Sequence, residues 1–476
     1  MTNIKKNFLY NLLLTVAGYI FPFLTFPYIS RVLGAENIGI VNFASSLVDY
    51  FILFSTLGIS IVGMREIARS NEELETRSKT FSQLVSLHAT FSTIALIIYI
   101  ICIYAVPQLA EHKFLYWVGS SKIILNVFLV EWLFRGIQNF RYITLRTLIT
   151  RSLYVVAVFL FVRDREDYDI YFIVTMCQVL LNAIINWNYS RKYVTFVFSL
   201  NGVRQYIYPL FSWGLNMILL SFYTTFNVMY LGFSCDSKAV GYYTTATKLY
   251  AIILSVLQAY NGVFIPYLNS LRAKGDMVEF ERTIGKSFNI VSTCTIPMVA
   301  FCFIMAPEII LLIAGSEFSD SIVPFRIVLF QVIIIGISQI TNSQILLSLK
   351  KDKEILISTI AGSVTMIAIV VLFVPQYAQI AAAWAVLLSH IVEFFFLFYF
   401  AKRSLNFEFP YGAFLKTIVY TIPIILCCWV CQSLQCNYVL ILGLTGLISG
   451  IYYMLIQYYV VKNDIIINIV NKVIRK

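Results

Sequence analysis

Long apolar runs, separated by short polar connections, occupy nearly the whole chain. Fourteen stand out, at about 8–29, 38–62, 81–106, 114–136, 143–162, 170–189, 206–231, 241–265, 285–311, 323–348, 355–375, 379–400, 413–432 and 438–461. A helix needs about 20 mostly apolar residues to cross a bilayer, and each run is of that order. The pattern predicts an all-α polytopic membrane protein with about 14 transmembrane helices. The longest connection, around Arg65–Lys79, mixes both charges, and Gly275–Lys286 is a second polar stretch. None approaches the roughly 50 residues of a soluble domain. The first run follows Lys5 and Lys6 but is too long for the apolar part of a signal peptide, and no A-x-A pattern follows. It reads as a retained first helix.

Charge tests the helix count. With an even number of spans both termini share one side. Connections on that side carry 25 of the 35 Lys and Arg, and the opposite connections carry 5: Arg31, Lys113, Arg163, Arg165 and Lys238. A wrong count would scramble this alternation. Lys and Arg accumulate in cytoplasmic loops, so both termini are expected in the cytoplasm. Composition narrows the class further. Of 476 residues 59% are hydrophobic and 12% charged, with mean hydropathy +0.81. That excludes a water-soluble enzyme, a disordered chain and a nucleic-acid binder. The net charge of +11 then reflects topology. The nine cysteines form no framework. Cys428 and Cys431 make a C-x-x-C inside the apolar run Ile422–Cys431, with no nearby His and no second pair, and read as small hydrophobes.

An internal repeat is visible. The second helix begins Gly39-Ile-Val-Asn-Phe-Ala44-Ser45-Ser46-Leu47 and the eighth Gly241-Tyr-Tyr-Thr-Thr-Ala246-Thr247-Lys248-Leu249. Both fit G-x-x-x-x-A-[ST]-x-L, and both follow a Leu-Gly pair, Leu33-Gly34 and Leu231-Gly232. The offset of six helices predicts parallel halves about an axis along the membrane normal, as in many secondary transporters. Prolines lie in or beside several spans: Pro22, Pro27, Pro209, Pro266, Pro297 and Pro423. They kink helices, either for motion or for static packing.

Charges inside spans are costly, at some 2.5–3.5 kcal/mol or more at the centre. Asp49 lies roughly 16 Å into the second span, near the midplane of a ~30 Å core. It is a candidate cavity wall or ion-coupling site, or else a neutral packing residue. Lys248 and Lys122 lie about 10 Å from the outer edge, and either snorkel outward or line a cavity that attracts an anion. Glu131 and Arg135, spaced i,i+4, read as a structural ion pair. His390 and Glu393 share a helix face at i,i+3, as a packing pair or an ion-coupling relay. Tyr242 and Tyr243 are candidates for stacking on sugar rings. Gly285-Lys286-Ser287 resembles the end of a phosphate-binding loop, but Phe280 stands where Gly is required. H-E-x-x-H and G-x-S-x-G are missing, and His88, His112 and His390 have no metal-ligand spacing. No catalytic residue, metal or cofactor is expected.

The chain resembles the Wzx-type polysaccharide flippases of the multidrug/oligosaccharidyl-lipid/polysaccharide exporter superfamily. The resemblance rests on Pro27-Tyr28 with Arg31-Val32-Leu33-Gly34, Gly39, Leu57-Gly58 and Arg65-Glu66. It continues in Glu131-Trp132-Leu133-Phe134-Arg135-Gly136, Gly241-Tyr242-Tyr243 with Lys248, Pro266, and Gln344–Leu349 before Lys350. Two positions depart from the family pattern. The twelfth helix starts Ile380-Ala-Ala-Ala-Trp384 rather than Gly-Ala-Ala, and the eleventh lacks an Asn before Pro375.

The resemblance implies two pseudo-symmetric six-helix lobes, 1–190 and 205–402. Two further spans follow within 413–461, and then a cytoplasmic tail, 462–476. It implies that the protein moves a polyprenyl-pyrophosphate-linked oligosaccharide across the bacterial plasma membrane by alternating access, coupled to an ion gradient, for O-antigen or capsule synthesis. Lys248 matches a cationic cavity position. Partners would be membrane lipid, a polysaccharide polymerase and a chain-length regulator. A small-molecule antiporter of the same superfamily, and an integral-membrane glycan polymerase or ligase, are the alternatives. The latter tends to carry a large external loop, which this chain lacks.

Overall fold

The computed structural model describes residues 2–70, 73–433 and 437–461, so the expected tail at 462–476 lies outside the described residues. Every regular element among them is helical. In chain order these are α1 (Thr2–Thr56), α2 (Ile59–Arg69), α3 (Leu74–Ala105), α4 (Lys113–Asn126), α5 (Glu131–Gly136), α6 (Phe140–Phe161), α7 (Tyr168–Ser190) and α8 (Arg204–Ser221). Then come α9 (Asn227–Ser234), α10 (Ser237–Ala273), α11 (Met277–Ile304), α12 (Ala306–Ile313), α13 (Ile322–Gln339), α14 (Asp352–Ser404), α15 (Tyr411–Ser433) and α16 (Tyr438–Leu455).

Two helices are too long for one crossing. A straight α1 would extend ~80 Å against a hydrocarbon core of ~30 Å. The chain breaks at Gly34, with φ 74° and ψ 176°, a conformation that costs glycine little because it has no Cβ. Within α14 the break falls at Ala378, φ 44° and ψ −125°, where an L side chain is strained by about 1–2 kcal/mol. Eleven helices or joined helices are long and apolar enough to cross a membrane. Two of them contain these breaks and cross twice, and the 37-residue α10 adds one more. The described residues thus make fourteen crossings, in agreement with the fourteen apolar runs.

The chain forms two compact units: residues 1–244 with 363–386, and residues 245–362 with 387–476. In the first unit a core forms around Ile59, Phe81, Leu84, Trp132, Leu133 and Phe134. Gly63 is part of the reason, since a Cβ there would lie 2.6 Å from the Trp132 ring. In the second unit Cys428 and Cys431 pack with Ile304, Met305, Ile424 and Ile441, so the C-x-x-C serves as apolar filling between helices.

The connection from α7 to α8 is pinned by a ladder of serines. Ser78, Ser82 and Ser86 stand four apart on α3, about 6 Å per step. Two residues of extended chain advance about 6.6 Å. The steps match, and alternate amides, those of Thr195, Val197 and Ser199, donate to the three serine Oγ atoms at 3.0, 3.1 and 3.0 Å. Arg77 Nε adds a bond to the Tyr193 carbonyl at 2.9 Å.

The repeated glycines meet. A Cβ on Gly39 would lie 1.7 Å from the Ser237 carbonyl oxygen, and one on Gly241 2.0 Å from that of Ala35. Side chains complete the contact. Asn42 Nδ2 donates to Thr244 Oγ1 at 2.9 Å across a separation of 202 residues, and Lys238 Nζ lies 3.7 Å from Glu36. Gly39 and Gly241, Asn42 and Thr244, and Glu36 and Lys238 share one offset. Each position therefore pairs with its own counterpart in the repeat, which describes a local two-fold axis. Small residues at such a crossing let backbones approach closely.

Candidate functional site

Four groups of polar side chains sit within the spanning helices. In the first unit Asp49 of α1 meets Lys122 of α4 at 2.5 Å. Close approach of the helices makes this possible: a Cβ on Gly119 would lie 2.7 Å from Val48. The carboxylate is 45% exposed and the ammonium 21%, so the pair faces an accessible space from a buried side. Further along the same two helix faces, Asn126 Nδ2 donates to Thr56 Oγ1 at 3.0 Å and lies 3.3 Å from His88 Nε2. Asn126 stands four residues after Lys122 and Thr56 seven after Asp49, spacings that keep a helix face. The result is a polar file along α4, to which α3 contributes His88.

The second group centres on Glu131, in the first turn of α5 where a negative charge is favoured. Arg135 pairs with it at 2.8 Å. So does Arg146 from α6, at 2.6 Å. Arg146 Nη1 also donates to Asn182 Oδ1 at 3.2 Å, which Thr150 shares at 3.1 Å. Asn186 Nδ2 donates to the Leu129 carbonyl in the break between α4 and α5, where Val130 has φ 33°. The i,i+4 spacing revealed Arg135. Arg146 had no sequence signal beyond its charge, because its partner lies on another helix.

Near the eighth span's start, Tyr243 is buried and its hydroxyl accepts from Asn227 Nδ2 at 2.7 Å. Tyr242 is half-buried beside it. Lys248, in the second unit, is exposed although Ala246 and Leu249 around it are buried. Also in the second unit, His390 Nδ1 lies 3.2 Å from Glu393 Oε2. Thr359 Oγ1 donates to the other carboxylate oxygen at 3.3 Å, so α14 contributes both sides of this cluster.

Two adjoining cavities complete the second unit. One, of about 610 Å³, is lined by Glu279, Lys286, Asn289, Lys416, Thr417 and Tyr420 among others. The other, of about 430 Å³, is nearly all apolar, with Pro297, Met298, Phe301, Ile424, Gly450 and Met454. Ile290 and Thr293 line both. The two form one trough, greasy at one end and charged at the other, where Glu279 lies 4.0 Å from Lys286 and Lys416 leaves a net positive charge. The sequence did not signal it, because α10, α11, α15 and α16 supply its walls from distant stretches.

Comparison with known proteins places this arrangement. A family described as "Polysaccharide biosynthesis protein" matches residues 4–272. A provisionally named O-antigen transporter of Escherichia coli (strain K12) is 23% identical over 391 residues, covering 80% of this chain and 92% of that protein. One of Shigella dysenteriae with the same name is 24% identical over 390 residues, covering 81% and 96%. Among solved structures, a lipid II flippase, MurJ, in an inward closed conformation superposes with a TM-score of 0.79 at 15% identity, over 96% of this chain and 100% of that one. An inward-facing multidrug transporter of the MATE family gives 0.60 at 13% identity, over 80% and 95%. The structural likeness establishes the shared fold. With more than half its length matched by the family and its spans in this architecture, the chain belongs to the polysaccharide biosynthesis protein family, as its resemblance to Wzx-type flippases implies.

Proposed function

We propose that the protein carries a polyprenyl-pyrophosphate-linked oligosaccharide from the cytoplasmic to the outer leaflet of the bacterial plasma membrane by alternating access. The two-ended trough of the second unit is the observation that carries this reading beyond the family. Sugar hydroxyls entering hydrocarbon lose their water at several kcal/mol each when left unpaired. About ten of them raise a barrier of tens of kcal/mol. A transporter must offer polar surface to the head while the isoprenoid tail stays in an apolar groove. Lys416, beside the Lys286–Glu279 ion pair, supplies a cation for a pyrophosphate, and the groove past Ile290 and Thr293 accepts a hydrocarbon chain. Asp49, Lys122, Lys248 and Tyr242 are candidates to line the head's path, whereas Tyr243, expected to stack on sugar rings, is buried and held by Asn227. Asp49 and the His390–Glu393 pair are candidates for coupling to an ion gradient. The lobes that rock are residues 1–190 and 205–402, with both termini in the cytoplasm. A polysaccharide polymerase and a chain-length regulator are the expected partners. The MATE-like fold also suits export of cationic small molecules, but a cationic trough opposes that cargo.

Deletion of the gene in its native host tests the reading. Surface glycan is lost, and lipid-linked oligosaccharide accumulates out of reach of an external glycan-labelling enzyme. Re-expression restores export, whereas a Lys286→Glu/Lys416→Glu double variant at normal membrane level restores tenfold less or worse. Normal surface glycan in the deletion strain would overturn the proposal.

A further inference from the structure

A third cavity, of about 480 Å³, lies in the first unit between α6 and α7 and is lined by Asn139, Arg141, Tyr142, Arg146, Ile185 and Tyr189, with Leu145 and Ile149. We propose that it holds one anionic phospholipid of the surrounding bilayer, with the phosphate at Arg141 and an acyl chain along Leu145 and Ile149. This claim is independent of the transported cargo.

Charge argues for an anion. Arg146, whose side chain is 6% exposed, lines the cavity and keeps a buried Nε without a hydrogen-bond partner. Lys192 Nζ lies 4.9 Å from the centroid of the Tyr189 ring, and that ring stacks on Tyr142 at 3.8 Å. The carboxylate that the described ion pairs bring to this corner is Glu131, already shared by Arg135 and Arg146. Arg141 and Lys192 are left in excess.

The walls argue for a lipid rather than a free ion. Arg141, Leu145 and Ile149 are spaced i, i+4 and i+8 on α6, a stripe about 12 Å long that starts at a cation and continues as hydrocarbon. The stripe goes on in Leu153, Val156 and Leu160. From Leu145 onward these five side chains are 46–57% exposed. An apolar face open along a whole span is one that bilayer lipid covers. The cavity is therefore entered from the bilayer, at the end of the span where headgroups lie. A phosphate at Arg141, with Lys192 held against the Tyr189 wall, gains charge-assisted bonds, and its chain follows the stripe.

The test uses the full-length protein in detergent. Phosphatidylglycerol, phosphatidylcholine, inorganic phosphate or undecaprenyl pyrophosphate is added, thermal unfolding is followed, and retained lipid is counted by native mass spectrometry. Phosphatidylglycerol raises the midpoint by a few degrees and is retained at one per chain, because a ligand bound only to the folded state stabilises it. Phosphatidylcholine and phosphate do neither. In Arg141→Ala/Lys192→Ala, both exposed positions, the midpoint without lipid is unchanged and the phosphatidylglycerol effect is lost. Arg141→Gln alone weakens retention. An equal response to phosphatidylcholine, an equal response to phosphate, or an unaltered response in the double variant would each overturn the site. So would displacement of the retained phosphatidylglycerol by undecaprenyl pyrophosphate, which would assign the cavity to the cargo.

Discussion

Arg135 and Arg146 share one carboxylate and differ in what surrounds them. Arg135 is 41% exposed and Arg146 6%. An exposed ion pair contributes about 0–1 kcal/mol. Arg146→Ala leaves Glu131 paired with Arg135, but it empties a buried site and takes a donor from Asn182. Arg146→Ala should therefore lower the thermal unfolding midpoint far more than Arg135→Ala; a reversed order would remove Arg146 as the buried anchor of Glu131. This contrast marks what the sequence could disclose about the site. Local spacing exposed Glu131 with Arg135 and His390 with Glu393, because helix geometry brings i,i+3 and i,i+4 neighbours together. Asp49 stood out as a charge within a span. Its pairing with Lys122, 73 residues away, was not legible, and neither was the file of Asn126, Thr56 and His88. Pairing across helices depends on which faces meet, and hydropathy does not encode that.

At the scale of elements, apolar runs identified the crossings because a bilayer demands about the same length of each helix. The breaks were less legible. Gly34 falls in the gap between two runs and has the residue such a turn favours. Ala378 also falls in a gap between two runs, three residues after Pro375, but it takes a positive φ without that advantage, so the conformation of the break was not legible. The crossing at Gly39 and Gly241 was visible only as a repeat; its close contact belongs to the folded chain. If transport opens this end, Asn42→Cys with Thr244→Cys, in a background without the native cysteines, should crosslink under mild oxidant and stop export until reductant is added. Full export by the crosslinked protein would show that the crossing stays shut throughout the cycle.

For the whole molecule, the asymmetry of Lys and Arg, 25 against 5, makes a topological claim that the fourteen crossings support but that needs its own measurement. A fluorescent protein fused to the C-terminus should glow, and alkaline phosphatase inserted between α3 and α4 should be active, because that connection lies on the opposite side. Activity of phosphatase at both places would refute the orientation. The pairing of Glu36, Gly39 and Asn42 with their own repeats has a consequence for how such a chain could arise. A surface strip that binds its own duplicate is isologous, the contact by which identical subunits form two-fold dimers. A half-length ancestor bearing this strip would already have held a second copy of itself, so fusion of two such genes would have needed no new interface here.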